Sequence, residues 1–244
     1  MLSETKAIVI GGLGGIGSAI CHSLLQQKVQ KLAIFDIHDA ITAEFVDKVT
    51  YEKCRIDQKD DLKNAFEKIW EIFGGFNLVI NSAGIVNEQD VEKVFAINTI
   101  GAINFVNVAV ETMRKDKKSN GGGTIVNIAS TLGYLPYQGF PFYVASKHAQ
   151  IGFMKSIADP AFSELTGLKF ITICPGYTDT RLIGSSGINS LALRAQGEPF
   201  PPQKTTVVAD CILRALGTTK TSSFWRCVNG EISEIELLTA NDIQ

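Results

Sequence analysis

Short apolar runs rich in β-branched residues alternate along the chain with longer stretches whose apolar positions recur at helical spacing. The runs 6–11, 32–36, 50–56, 77–82, 123–129, 168–174 and 224–229 read as strands. Between them, 15–28, 40–49, 59–73, 92–118, 143–166 and 205–217 read as helices. Strict alternation of this kind implies right-handed βαβ units and a parallel sheet covered by helices on both faces. No linker divides the chain and no repeat is visible, so a single α/β domain over 1–244 is expected. The stretch 182–203 mixes Gly, Ser and three prolines and is expected to form a lid over a substrate. Two long helices, about 92–115 and 143–166, are apolar over more of their surface than one buried face requires. Ile97, Ile100, Ile103, Phe105 and Val108 cannot all meet the sheet, and neither can Phe153, Ile157 and Phe162. Such a surplus marks a protein interface.

Composition narrows the picture only a little. With 244 residues, 45% of them hydrophobic and 20% charged, the chain can bury a sizeable core. A net charge of −2 offers no electrostatic case for nucleic acid or an acidic membrane. Phe95 to Val110 is interrupted by Asn98, Asn104 and Asn107 and does not read as a membrane span. The first residues lack a basic segment followed by an apolar one, so no secretory signal is expected. Five cysteines, scattered and odd in number, suit reduced thiols in the cytoplasm. The three histidines and the cysteines show no metal-ligand spacing, and no metal is expected.

The chemistry begins at the first strand. Gly11, Gly15 and Gly17 lie between an apolar strand and an amphipathic helix, the context that dinucleotide binding requires. Phosphates there would meet backbone N–H groups at the positive end of a helix. Asp36 ends the second strand, where a carboxylate can accept a hydrogen bond from a ribose 2′-OH and would repel a 2′-phosphate. NAD is therefore expected over NADP. Further along, Tyr143 and Lys147 are four residues apart and share a helix face. An ammonium within ~4–6 Å of a phenol favours the phenolate and lowers its pKa from about 10, which suits proton transfer. Ser130 lies thirteen residues upstream of Tyr143.

Together these residues resemble the short-chain dehydrogenase/reductase family along nearly the whole chain. Asn81-Ser-Ala-Gly84 is similar to that family's N-N-A-G segment, Ser130 to its catalytic serine, and Pro175-Gly-Tyr-Thr-Asp-Thr180 to its loop by the nicotinamide. Within the family the likeness is to NAD-dependent 15-hydroxyprostaglandin dehydrogenases and to insect-type alcohol dehydrogenases. The resemblance implies a Rossmann fold, a doubly wound seven-stranded parallel sheet in the order 3-2-1-4-5-6-7. It implies catalytic roles for Ser130, Tyr143, Lys147 and Asn98, the last holding a water that links Lys147 to solvent. The implied cofactor contacts are Gly11, Gly14, Gly15, Ile16, Gly17, Asp36, Ile37, Ile56, Asn81, Ala83, Gly84, Tyr143, Lys147, Pro175, Gly176, Thr178 and Thr180. Ser130, Phe140 and Tyr143 would touch the substrate.

Two positions depart from the pattern. Arg55-Ile56 stands where the family often has Asp-Val, which leaves Arg55 or Asp57 open for an adenine contact. Phe140 stands where prostaglandin dehydrogenases have glutamine, so a prostaglandin is not carried over. The expected reaction is oxidation of a medium-sized secondary alcohol to a ketone with NAD. A carbonyl reductase running in reverse and an idle member serving as a binding or storage protein remain as alternatives. The expected assembly is a homodimer or homotetramer through the two apolar helices, as in the family.

Overall fold

The structure, a computed structural model, describes residues 2–184 and 201–237. Most of the lid expected at 182–203 lies outside the described residues. Among them, eight strands form one sheet in the order β3-β2-β1-β4-β5-β6-β7-β8. β1 (Lys6–Ile10), β2 (Lys31–Asp36), β3 (Thr50–Lys53), β4 (Leu78–Asn81), β5 (Gly123–Ile128), β6 (Leu168–Pro175) and β7 (Ser222–Val228) pair in parallel. The expected order is found, but the sheet does not stop at seven strands. β8 (Glu231–Ile235) returns antiparallel beside β7. Its cause is local: Asn229 (φ 52°) and Gly230 (φ 84°) form a two-residue turn with both residues left-handed, a strong hairpin signal.

Among the described residues the helices are α1 (Gly15–Gln26), α2 (Lys59–Phe73), α3 (Val91–Val94), α4 (Ala102–Met113), α5 (Pro141–Ile157), α6 (Pro160–Thr166), α7 (Arg181–Gly184) and α8 (Thr205–Leu216). A π-helical stretch, Phe95–Gly101, joins α3 to α4 without a break. The helix expected at 40–49 is absent; a single 3-10 turn, Ala43–Phe45, makes the crossover from β2 to β3. The helix expected at 143–166 is two helices. Pro160 cannot continue α5, and Asp159 instead caps α6 by accepting from the Phe162 N–H at 3.0 Å.

Alternate residues of each strand enter different cores, as a two-sided sheet requires. Ile8, Ile10, Ala33 and Phe35 pack with α2, α4 and α5, around Phe66 and Phe105. Ala7, Val9, Leu32 and Ile34 pack with α1 and α8, around Leu24 and Ile212. Val91–Met113 is long and apolar enough to cross a membrane by composition, but Phe105, Val106, Ala109 and Met113 are fully buried against the sheet. Part of the expected apolar surplus disappears in the same way: Phe105 and Val108 are core residues. Ile100 is left exposed, and Ile97 and Phe153 are only partly covered.

Candidate active site

The carboxyl ends of β1, β2, β4, β5 and β6 open onto one cleft of about 1110 Å³. Its far wall is the glycine turn. Gly11 has φ +70°, a conformation open to glycine at little cost. At Gly17 the helix returns so close that an added Cβ would lie 2.0 Å from the Gly11 carbonyl oxygen. α1 follows Gly14, which offers no side-chain cap, and among the described residues no side chain is seen to accept from its first N–H groups. Leu13, Gly14, Gly15 and Ile16 line the cleft at that point. At the end of β2, the Asp36 carboxylate accepts from the Leu13 N–H at 2.9 Å and so ties the turn to the second strand. It also accepts from the Ile37 N–H at 2.8 Å and meets His38 Nδ1 at 2.6 Å. His38 lines the cleft and had no role in the sequence reading.

Neither Ile37 nor Ile56 lines the cleft. The Ile37 side chain is 62% exposed, and Ile56 is buried against Gly101 in the core. Arg55 and Asp57 pair with each other at 2.6 Å. The β4 loop stands nearer the expected position. Asn81 Oδ1 accepts from the Ala83 N–H at 3.0 Å, and Ser82, Ala83 and Gly84 line the cleft. A Cβ on Gly84 would stand 3.4 Å from Asn98 Oδ1 and 3.7 Å from Lys147 Nζ, so glycine keeps that space open. Pro175, Gly176, Thr178 and Thr180 form the opposite rim. Thr178 is held by Gln203, whose Nε2 donates to Thr178 Oγ1 at 3.1 Å and to the Cys227 carbonyl at 3.0 Å.

Ser130, Tyr143 and Lys147 meet at the foot of this cleft. Ser130 follows β5, and its hydroxyl accepts from the Leu132 N–H at 3.1 Å and bonds the Tyr143 phenol. Lys147 Nζ lies 5.6 Å from the centre of the Tyr143 ring. It donates to the Ile128 carbonyl at 3.0 Å and to Gln150 Oε1 at 3.3 Å. Burial dominates the charges here. It pushes the Tyr143 phenol up to about 12, with the Ser130 hydrogen bond drawing it back. It pulls the Lys147 ammonium down to about 7, against the Cys174 thiol. The phenol of the chain alone is therefore raised, not lowered as the sequence suggests, because desolvation outweighs the Ser130 hydrogen bond.

Asn98 sits in the π-helical stretch with its side chain fully engaged. Oδ1 accepts from the Ile85 N–H at 2.9 Å; Nδ2 donates to the Ile85 carbonyl at 2.8 Å and to Ser146 Oγ at 3.1 Å. Its carbonyl accepts from Gln150 Nε2, and Gln150 Oε1 in turn accepts from Lys147 Nζ. Glu88 was also missed. Its two carboxylate oxygens accept from the Phe142 and Tyr143 N–H groups at 2.9 Å each, capping the helix that carries the phenol. The Asn87-Glu-Gln-Asp run held the only clue, an acidic residue in a polar loop. Val86, Phe140 and Tyr143 form a buried apolar wall with Leu132, Tyr137 and Leu182 partly covered against it, and all six line the cleft.

These residues fit a nicotinamide dinucleotide: an uncapped helix start, a carboxylate at the end of β2 and a glycine-kept space beside the phenol. Comparison with known proteins agrees. The family model described as short chain dehydrogenase matches residues 5–189. Alcohol dehydrogenase 1 of Ceratitis cosyra is 40% identical over 184 residues, 72% of this chain and 71% of that one. 15-Hydroxyprostaglandin dehydrogenase [NAD(+)] of Homo sapiens is 31% identical over 188 residues, 73% of this chain and 70% of its own. Among solved structures, a short-chain dehydrogenase from Burkholderia cenocepacia in complex with NADP superposes with a TM-score of 0.74 at 18% identity, covering 92% of this chain and 89% of that one. Thermoplasma acidophilum aldohexose dehydrogenase superposes with a TM-score of 0.73 at 23% identity, covering 94% and 96%. These two likenesses concern the fold.

Proposed function

The chain belongs to the short-chain dehydrogenase family, and from that premise we propose that it oxidises a medium-sized secondary alcohol to the ketone with NAD. The observation that carries this reading is the meeting of Ser130, Tyr143 and Lys147 at the foot of the cleft, beside an apolar wall and below an uncapped helix start. Ser130 bonds the substrate oxygen and steadies the charge that gathers there. Tyr143, as the phenolate, takes the hydroxyl proton. Lys147, as the ammonium, stabilises that phenolate across the one-turn gap. The pair holds one proton in either arrangement, phenol with amine or phenolate with ammonium, so it reaches the reactive state by internal transfer. Asn98 holds the 85–86 segment against α5 through its amide, fixing the cleft floor. A bound oxidised nicotinamide supplies the hydride acceptor and a positive charge that favours the phenolate.

The cofactor is held by the turn at Gly11, Gly14, Gly15, Ile16 and Gly17, by the loop at Asn81, Ala83 and Gly84, and by Pro175, Gly176, Thr178 and Thr180. Asp36 selects NAD by accepting from a ribose hydroxyl and repelling a 2′-phosphate. Both carboxylate oxygens already accept bonds, but a carboxylate has about four lone-pair sites and keeps room for a hydroxyl. Phe140 and its neighbours select an apolar or amphiphilic alcohol. One domain carries both cofactor and substrate sites, and the exposed Ile100 with the half-covered Ile97 and Phe153 forms the contact of an even-numbered assembly. The five buried free thiols suit a reducing, cytoplasmic setting. A panel of short aliphatic, terpenoid, steroid and prostanoid alcohols, followed by NADH absorbance, tests the activity. NADH formation with at least one medium-sized secondary alcohol is expected; none across the panel would count against it.

A further inference from the structure

A chain of buried amides runs beneath the site. Asn81 Oδ1 takes the Ala83 N–H, and Asn81 Nδ2 donates to Asn127 Oδ1 at 2.9 Å. Asn127 Nδ2 donates to Gln150 Oε1 at 3.1 Å, and Gln150 Nε2 donates to the Asn98 carbonyl. The three amides are 0–1% exposed. Their orientation is fixed from both ends, because a backbone N–H can only donate and a backbone carbonyl can only accept. Reversing any one amide would set donor against donor or acceptor against acceptor inside the core. Gln150 must therefore turn Oε1 toward Lys147 Nζ, which lies 3.3 Å away.

We propose that Gln150 is a positioning residue for the reaction, its amide oxygen holding Lys147 in place and in the ammonium form that stabilises the Tyr143 phenolate. The role rests on the dehydrogenase reading given above. Burial alone disfavours the ammonium, and the Ile128 and Gln150 oxygens are the two acceptors that oppose it. The titratable groups facing Lys147 are Tyr143 on its own helix and Cys174 on β6. β5 and the π-helical stretch present the neutral Asn127 and Asn98. Neither titratable neighbour supplies a standing negative charge at neutral pH, so among the described residues only the Ile128 carbonyl shares the amide's task.

The test reads Lys147 directly in the cofactor-free protein. Lysine labelled with carbon-13 at Cε gives a titration curve by NMR, and Lys147→Arg assigns its signal. Gln150→Leu keeps the volume and removes the amide, and should lower the Lys147 midpoint by about one pH unit. Gln150→Ala leaves a gap with Lys147, Asn127 and the Asn98 carbonyl as three partners for a water, enough to hold one. Its midpoint should return to within a few tenths of a unit, about the wild-type value. In alcohol oxidation the acid limb should move downward with the Lys147 midpoint in the Leu variant, at a reduced plateau, and recover in the Ala variant, with kcat affected more than KM. An unmoved midpoint in a folded Leu variant would overturn the assignment. If that variant does not fold, Gln150→Glu should raise the midpoint above wild type, and no rise would overturn it equally. Midpoints that move as stated in a protein oxidising no alcohol would sustain the Gln150 role and sink the proposed activity.

Discussion

The two halves of the cleft are built by different means. The half formed by β1, α1 and β2 is made of backbone: a left-handed glycine, a helix start and a close approach between them, tied off by one carboxylate. The half formed by β4, β5 and α5 is made of side chains that come from distant points in the chain and satisfy one another in the dark. The first half tolerates almost no added atom, because backbone cannot move aside. The second tolerates changes in size better than changes in hydrogen bonding, because each buried amide or charge needs its partner.

A methyl group should therefore do most harm in the first half. Gly17→Ala sets a Cβ 2.0 Å from the Gly11 carbonyl oxygen and 2.8 Å from the Gly12 Cα. Forcing an atom into packed backbone should cost about 3 kcal/mol or more. A fall of several degrees in the thermal midpoint, with NAD binding lost, is expected by differential scanning calorimetry and titration. A variant that binds NAD normally would break the contrast.

In the second half the removal of an acceptor should tell. Glu88→Ala deletes both oxygens at the start of α5, and a lost helix cap costs roughly 1–2 kcal/mol. Because the orphaned N–H groups belong to Phe142 and Tyr143, kcat should fall about tenfold, a change equal to 1.4 kcal/mol in the barrier. Glu88→Gln retains one acceptor and should recover part of it. Steady-state kinetics on both variants, beside their melting curves, separates the helix effect from general destabilisation.

Smaller still is the effect of charge at the junction. Asp36→Asn keeps an oxygen for the Leu13 N–H and removes the repulsion of a 2′-phosphate. The ratio of kcat/KM for NAD over NADP should narrow by about tenfold, some 1.4 kcal/mol. An unchanged ratio would mean that His38 or the backbone, and not the carboxylate, sets the preference.

The same contrast explains what could be read from the sequence. Glycine turn, Asp36, Tyr143 and Lys147 are legible because their geometry is local: a strand, a turn and a helix in succession, or two residues one helical turn apart. Gln150 lies on the same helix as Lys147 and three residues beyond it, yet only the strand pairing that places Asn127 beneath it gives it meaning. Glu88 reaches across fifty-four residues to Phe142, and nothing in its own segment points there. β8 is a different case. Asn229-Gly230 is a local signal, but the parallel βα pattern that precedes it does not imply a closing hairpin. The direction of the Tyr143 shift is not legible for a physical reason too, since spacing reveals a neighbouring charge but not the depth at which both groups are buried.

The proposed chemistry turns on one oxygen. Tyr143→Phe removes it and leaves the ring in the wall that it shares with Val86 and Phe140. Turnover with the best alcohol of the panel should fall by ~10²–10⁴-fold, the usual worth of a positioned acid–base group. NAD affinity, measured by titration on the same preparation, should stay within about threefold, less than 1 kcal/mol. A Phe variant retaining more than about a tenth of the wild-type turnover would contradict the assignment of Tyr143 as the base.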